Sequence, residues 1–225
     1  MFVGHYAASL ALKKIEPRTS LGTLFLAVQF VDILFFPFVM LGIERLNLIE
    51  NFTQSTHFEL VYMPYTHSLL ATVLWATLIY LLFRVIRGAT RRIACVIAIG
   101  VLSHWFLDLV VHTPDLPLWT DNSTKFGFGL WNNAPVTYLL EAVLLLIGLM
   151  MYHKATKPKV SLRHSKIARY GIAWFVIVLL VANAINVFGP LTNTNVTHFA
   201  ILPLALFIVF AGIAYWLDGQ RQPNY

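Results

Sequence analysis

The chain has 225 residues, 58% of them hydrophobic and 12% charged, where a soluble domain carries about a quarter charged residues. The apolar residues arrive in blocks of about 20, long enough to cross a ~30 Å hydrocarbon layer, so the composition points to an integral membrane protein and away from a soluble globular domain. The net charge of +6 does not indicate nucleic acid. The bases sit between apolar blocks, without the aromatic interleaving that base stacking needs, and suit loops facing anionic lipid.

In chain order, Phe2 to Leu12 forms a first apolar segment too short to span. Its positive pair, Lys13-Lys14, follows the apolar run instead of preceding it, so it does not read as a signal peptide. Gly4, Ala7, Ala8 and Ala11 suit a short re-entrant or half-inserted helix packed closely on others. Six spanning helices are then expected, over residues 20–43, 62–83, 92–113, 135–152, 168–188 and 197–217. The expected fold is all-α: a polytopic membrane helix bundle forming one domain over residues 1–225, with no internal repeat. The single cysteine, Cys95, lies in an apolar run and excludes an intrachain disulfide.

Lys13, Lys14 and Arg18 precede the first span; Arg84, Arg87, Arg91 and Arg92 separate the second and third; six bases from Lys154 to Arg169 separate the fourth and fifth. The alternate loops carry Glu44, Glu50, Glu59, Asp115 and Asp121 with few bases, and the last one has no charge. The positive-inside rule therefore places both termini in the cytoplasm. Asn51, Asn122 and Asn195 begin Asn-x-Thr sequons in the outer loops, where such matches are usually ordinary polar residues.

Within the third span, His104, Asp108 and His112 recur every four residues. At about 100° per residue they drift only ~80° and share one face. Ionisable groups at membrane depth are costly unless they pair, bind an ion or line a wet cavity. Counting ~1.5 Å per residue from the nearest cytoplasmic bases or, for Glu141, from His153 places His104 and Glu141 at ~18 Å, Asp32 at ~21 Å, Asp108 at ~24 Å and His67 at ~25 Å. If the first segment dips back into the bilayer, His5 reaches ~13 Å. No basic side chain shares that band, so a cation is the expected partner. The competing readings are an interhelical hydrogen-bond network for the trio, a helix cap for His67 and an aqueous outer position for Glu141. His57, His153, His164 and His198 read as solvated, and Asn183 and Asn186 as contacts between helices.

Gly4-His5, Asp32, Thr66-His67-Ser68-Leu69 and Ser103-His104-x-x-x-Asp108 resemble the YdjM-like membrane-bound metal-dependent hydrolases. Pro64-Tyr-Thr-His-Ser68, His112-Thr-Pro-Asp-Leu-Pro117 and Gly127-Phe-Gly-Leu-Trp-Asn132 make the chain look closer to an uncharacterised bacterial branch. The resemblance covers roughly residues 1–150 and leaves 151–225 as two additional transmembrane helices; it implies a bacterial inner-membrane location. The order of ligands is also similar to that of zinc-dependent phospholipases C. That similarity implies His5, Asp32, His67, His104 and Asp108 around two metals, with Asp108 bridging. Those enzymes add a His-x-x-x-Glu pair, but here Thr137 stands four before Glu141, and a third metal is not implied. The Asp-x-x-Thr usual in the YdjM-like group is also absent after His104.

Together these readings lead to a metal-dependent hydrolase acting on a lipid-borne phosphoester. One or two Zn²⁺ ions are expected, with Mn²⁺ or Fe²⁺ as substitutes. Asp32 or Glu141 is the expected general base, and His112 and Asp115 complete a second metal site or bind a headgroup. The alternatives are a metal-ion or proton-coupled transporter, whose inverted repeats or paired broken helices are not evident, and a non-catalytic scaffold.

Overall fold

The computed structural model describes residues 1–224. Eight helices follow in order: α1 (Val3–Ile15), α2 (Leu21–Val28), α3 (Phe30–Met40), α4 (Leu69–Leu81), α5 (Arg91–Val111), α6 (Ala134–Ala155), α7 (Lys166–Phe188) and α8 (Val196–Asp218). Helix α4 continues through a wider turn to Ile86. Five helices are long and apolar enough to cross a membrane, and a sixth crossing is made if α2 and α3 count as one span. The protein is an all-α, polytopic membrane bundle.

Side-chain caps mark where the chain enters α4, α5, α6, α7 and α8. Ser68, Thr90, Asn133, Ser165 and Asn195 each accept a hydrogen bond from a first-turn backbone N–H, satisfying a donor that the helix leaves unpaired. Two spans differ from the sequence reading. The first, expected as one helix over 20–43, bends by 50° between α2 and α3, with buried Gln29 at the break. The second starts at Leu69, seven residues after the expected start, because Phe58–Tyr62 is a strand and Ser68 caps the helix.

Short strands outside the membrane helices were also missed. β1 (Arg45–Leu48) pairs antiparallel with β2 (Phe58–Tyr62), β3 (Leu116–Pro117) with β4 (Lys125–Phe126), and β5 (Thr156–Pro158) with β6 (Arg221–Pro223). The β1–β2 hairpin is tied down by Ser55 Oγ, which donates to the Trp131 carbonyl, and by His57 Nε2, 2.8 Å from the Gly189 carbonyl. His57 is therefore a structural tie instead of a solvated side chain.

Helix α1 packs into the bundle chiefly on α6. Gly148 permits this approach: a Cβ there would lie 2.7 Å from the Ala7 carbonyl oxygen. The other end of α1 is locked by Lys13 Nζ, 2.6 Å from Asp218 Oδ2, where Leu21 N–H also donates to Asp218 Oδ2 and Tyr152 Oη–H to its Oδ1. Below the metal-type residues, Tyr6 stacks on Phe25, which stacks on Phe175, whose edge meets Phe210. Asn183 is buried on α7 but its side chain makes no hydrogen bond among the described residues, and Asn186 is exposed, so neither side chain bonds helices together as expected.

Candidate metal centre

Four segments bring the ligand-type side chains to one place. α1 carries His5, the first turn of α3 carries Asp32, the entry to α4 carries His67, and α5 carries His104 and Asp108, with His112 just past its end. His5, His67, His104, Asp108 and His112 are each buried. Asp32 is the more open member, with 18% of its side chain exposed. Two sets of donor atoms lie within 4.8 Å of one another: His5, His104 and Asp108, and Asp32, His67 and His104.

Asp108 stands between these groups. Its Oδ2 lies 3.0 Å from His104 Nε2, 3.6 Å from His112 Nε2 and 3.9 Å from His67 Nε2. Its Oδ1 faces the other way, 3.1 Å from His5 Nε2 and 2.5 Å from the Met1 α-ammonium. Asp32 Oδ1 lies on the Oδ2 side of Asp108, 3.2 Å from His67 Nε2 and 3.6 Å from His104 Nε2. The sequence reading found no basic side chain here; the positive charge present is the backbone amine of Met1.

The imidazole edges facing away from the centre are tied in place. His104 Nδ1 lies 2.7 Å from the carbonyl of Val28, the last residue of α2. His112 Nδ1 lies 2.8 Å from Asp115 Oδ1, and Asp115 Oδ2 accepts from the Thr113 hydroxyl. His67 Nδ1 lies 2.8 Å from Thr66 Oγ1, whose hydroxyl donates to Glu44 Oε2 at 2.6 Å. Glu44 Oε1 accepts from the backbone N–H groups of Tyr65 and Thr66. Burial raises the Glu44 carboxyl above its ordinary value, against the opposing effect of these hydrogen bonds.

A carbonyl only accepts, so His104 donates from Nδ1. In the neutral ring, Nε2 then carries a lone pair, yet it is buried, lacks a hydrogen-bond partner and faces two carboxylates. Lone pair and carboxylate repel unless a proton or cation lies between them. The donor set fits a divalent ion: tetrahedral zinc bonds of ~2.0–2.2 Å put neighbouring donors about 3.3–3.6 Å apart. Four separations among Asp32, His67, His104 and Asp108 run from 3.0 to 3.9 Å. Outer partners that hold the far nitrogen of a ligating histidine are also usual around metals.

The remaining candidates have more local contacts. Glu141 is buried, and its Oε2 accepts from the backbone N–H groups of Phe2 and Gly4 at 3.1 and 2.9 Å. It thereby anchors the start of α1, and with it His5. Asp115 holds His112 in place. His5 stacks flat on His104, ring centres 3.9 Å apart, with its own Nδ1 lacking a hydrogen-bond partner. Sequence reasoning missed Glu44, the Val28 carbonyl, the Met1 amine and Trp131, whose ring lies 4.1 Å from that of His112. The only signal for Glu44 was its acidic character, which read as an outer-loop charge. No protein-family model, curated protein or solved structure matches the chain.

Proposed function

We propose that the protein is a metal-dependent hydrolase of the membrane, acting on a lipid-borne phosphoester. The convergence of the His67, His104 and His112 Nε2 atoms on the Asp32 and Asp108 carboxylates carries this reading. His67, His104 and Asp108 would hold a first zinc ion, leaving a fourth position for water. Asp108 Oδ1 and His5 offer donors on the far side, where the Met1 ammonium lies. A divalent ion bound in the centre would supply Lewis acidity to a water and to the ester oxygen. Asp32, the most open carboxylate of the cluster, would then stand beside the water position as the general base, while Asp115 and the Val28 carbonyl keep two imidazoles oriented. A groove of about 800 Å³ beside Phe38, Tyr65, Leu74, Trp75 and Trp119 borders the Pro64–Ser68 segment and suits the acyl chain of an amphiphilic substrate. On the loop charges, the hairpin end would face outward and both termini the cytoplasm, and the resemblance of residues 1–150 suits a bacterial inner membrane.

The testing experiment is elemental mass spectrometry on detergent-purified wild type and the His104→Ala/Asp108→Ala variant, followed by phosphate release from phosphatidate and release of the alcohol or phosphorylated headgroup from phosphodiester lipids in mixed micelles. One or two zinc or manganese ions per chain, lost in the variant together with chelator-sensitive turnover, is the expected result. A folded wild type purified without chelators that holds no metal overturns it. The break between α2 and α3 beside Asp32 favours a second reading, a metal-ion transporter, since broken helices surround transporter sites. Zinc flux into proteoliposomes without lipid turnover selects that reading.

A further inference from the structure

Resting on the metal-site reading, we propose that Glu44, acting through the Thr66 hydroxyl, is a positioning residue: it holds His67 as the Nδ1–H tautomer and keeps its Nε2 lone pair turned toward Asp32. Glu44 is wholly buried although it belongs to a loop outside the helices. Its two oxygens are used differently. Oε1 takes the Tyr65 and Thr66 amides at 2.8 and 3.0 Å, and Oε2 takes the Thr66 hydroxyl at 2.6 Å. A hydroxyl has one proton to give. With that proton committed to Glu44, Thr66 Oγ1 presents a lone pair to His67 Nδ1 at 2.8 Å, so the ring proton lies on Nδ1. Nε2 is then free to donate its lone pair 3.2 Å from Asp32 Oδ1. The chain carboxylate, hydroxyl, imidazole thus sets the polarity of a donor from outside the membrane helices, as partners of metal-bound histidines do.

The isosteric change Glu44→Gln separates this role from simple packing. Its amide oxygen would satisfy the two backbone N–H groups, leaving its NH₂ to donate to Thr66. The Thr66 hydroxyl would then turn its proton to His67 Nδ1 and force the ring proton onto Nε2, where it blocks the donor. The test is ¹⁵N NMR of imidazole-labelled, chelator-treated full-length protein in detergent at pH 8. His67 is assigned by the signal lost in His67→Gln, and zinc affinity is measured by chelator competition. Expected are an Nδ1–H ring in wild type and in Thr66→Ser, an Nε2–H ring in Glu44→Gln, and zinc affinity about 10–100-fold weaker in Glu44→Gln. An Nε2–H or doubly protonated His67 in wild type overturns the proposal, as does an unchanged tautomer in Glu44→Gln. An Nδ1–H wild type that takes up no zinc upholds the orienting chain and removes the metal-site reading instead. An Nε2–H wild type that still binds zinc does the reverse.

Discussion

The carbonyl of Val28 accepts a hydrogen bond from His104 Nδ1 at 2.7 Å, and Val28 is the residue at which the first membrane span ends its straight course. Inside a continuous helix, a carbonyl is directed along the axis to the amide four residues on. Here α2 stops at Val28 and α3 starts at Phe30, so the break brings a backbone acceptor to a histidine on another helix. The same break places Asp32 in the first turn of α3, 3.6 Å from the other nitrogen of His104. One irregularity thus serves both edges of one imidazole.

Asp108 is the member whose loss should be felt most widely, because both its oxygens are engaged. Asp108→Asn keeps the shape but removes the charge facing the Met1 ammonium and four imidazoles. Breaking a buried pair in this way costs about 3–5 kcal/mol. Metal content should fall to background and the metal-free variant should unfold at lower denaturant than metal-free wild type. Equal metal content by elemental analysis would remove Asp108 from the centre.

The placement of His5 depends on a contact far from it. In Gly148→Leu the new side chain meets the Ala7 backbone, since even a Cβ would come within 2.7 Å of its carbonyl oxygen. Helix α1 should move off α6 and carry His5 away from Asp108, weakening metal binding at least tenfold while leaving α4 and α5 folded. Hydrogen exchange should rise across Val3–Ile15. Unchanged exchange there, with wild-type metal affinity, would show that α1 does not need this close approach.

Acid should loosen the turn that follows α1. Glu16 receives Arg18 Nε at 2.8 Å and lies 3.4 Å from Arg92 Nε, and Arg92 also bonds the Ile15 carbonyl. The Arg18 hydrogen bonds hold the Glu16 carboxyl below its ordinary 4.5. A lowered carboxyl contributes stability above its unfolded value, and that contribution is lost as pH falls through the folded one. Hydrogen-exchange protection factors of the Glu16, Arg18 and Thr19 amides should therefore fall below about pH 4.5, and Glu16→Gln should show the lowered protection at every pH. A flat wild-type profile would show that Glu16 does not clamp this turn.

Much of this was legible in the residue order. Block length and low charge specified an apolar bundle, and the third to sixth spans fall within a few residues of their expected ends, because hydropathy is a local, additive property. The His104, Asp108, His112 spacing likewise required one helix face whatever the fold. Depth counting put His5, Asp32 and His67 in the same band, provided that α1 folded back. What a count along each helix lacks is rotation about the axis. The convergence of the Nε2 atoms, the use of Glu141 to anchor α1 and the burial of Glu44 under Thr66 depend on how helices turn toward one another and where backbone amides are left to be satisfied. The tertiary structure decided those features, through the break at Gln29 and the close approach at Gly148.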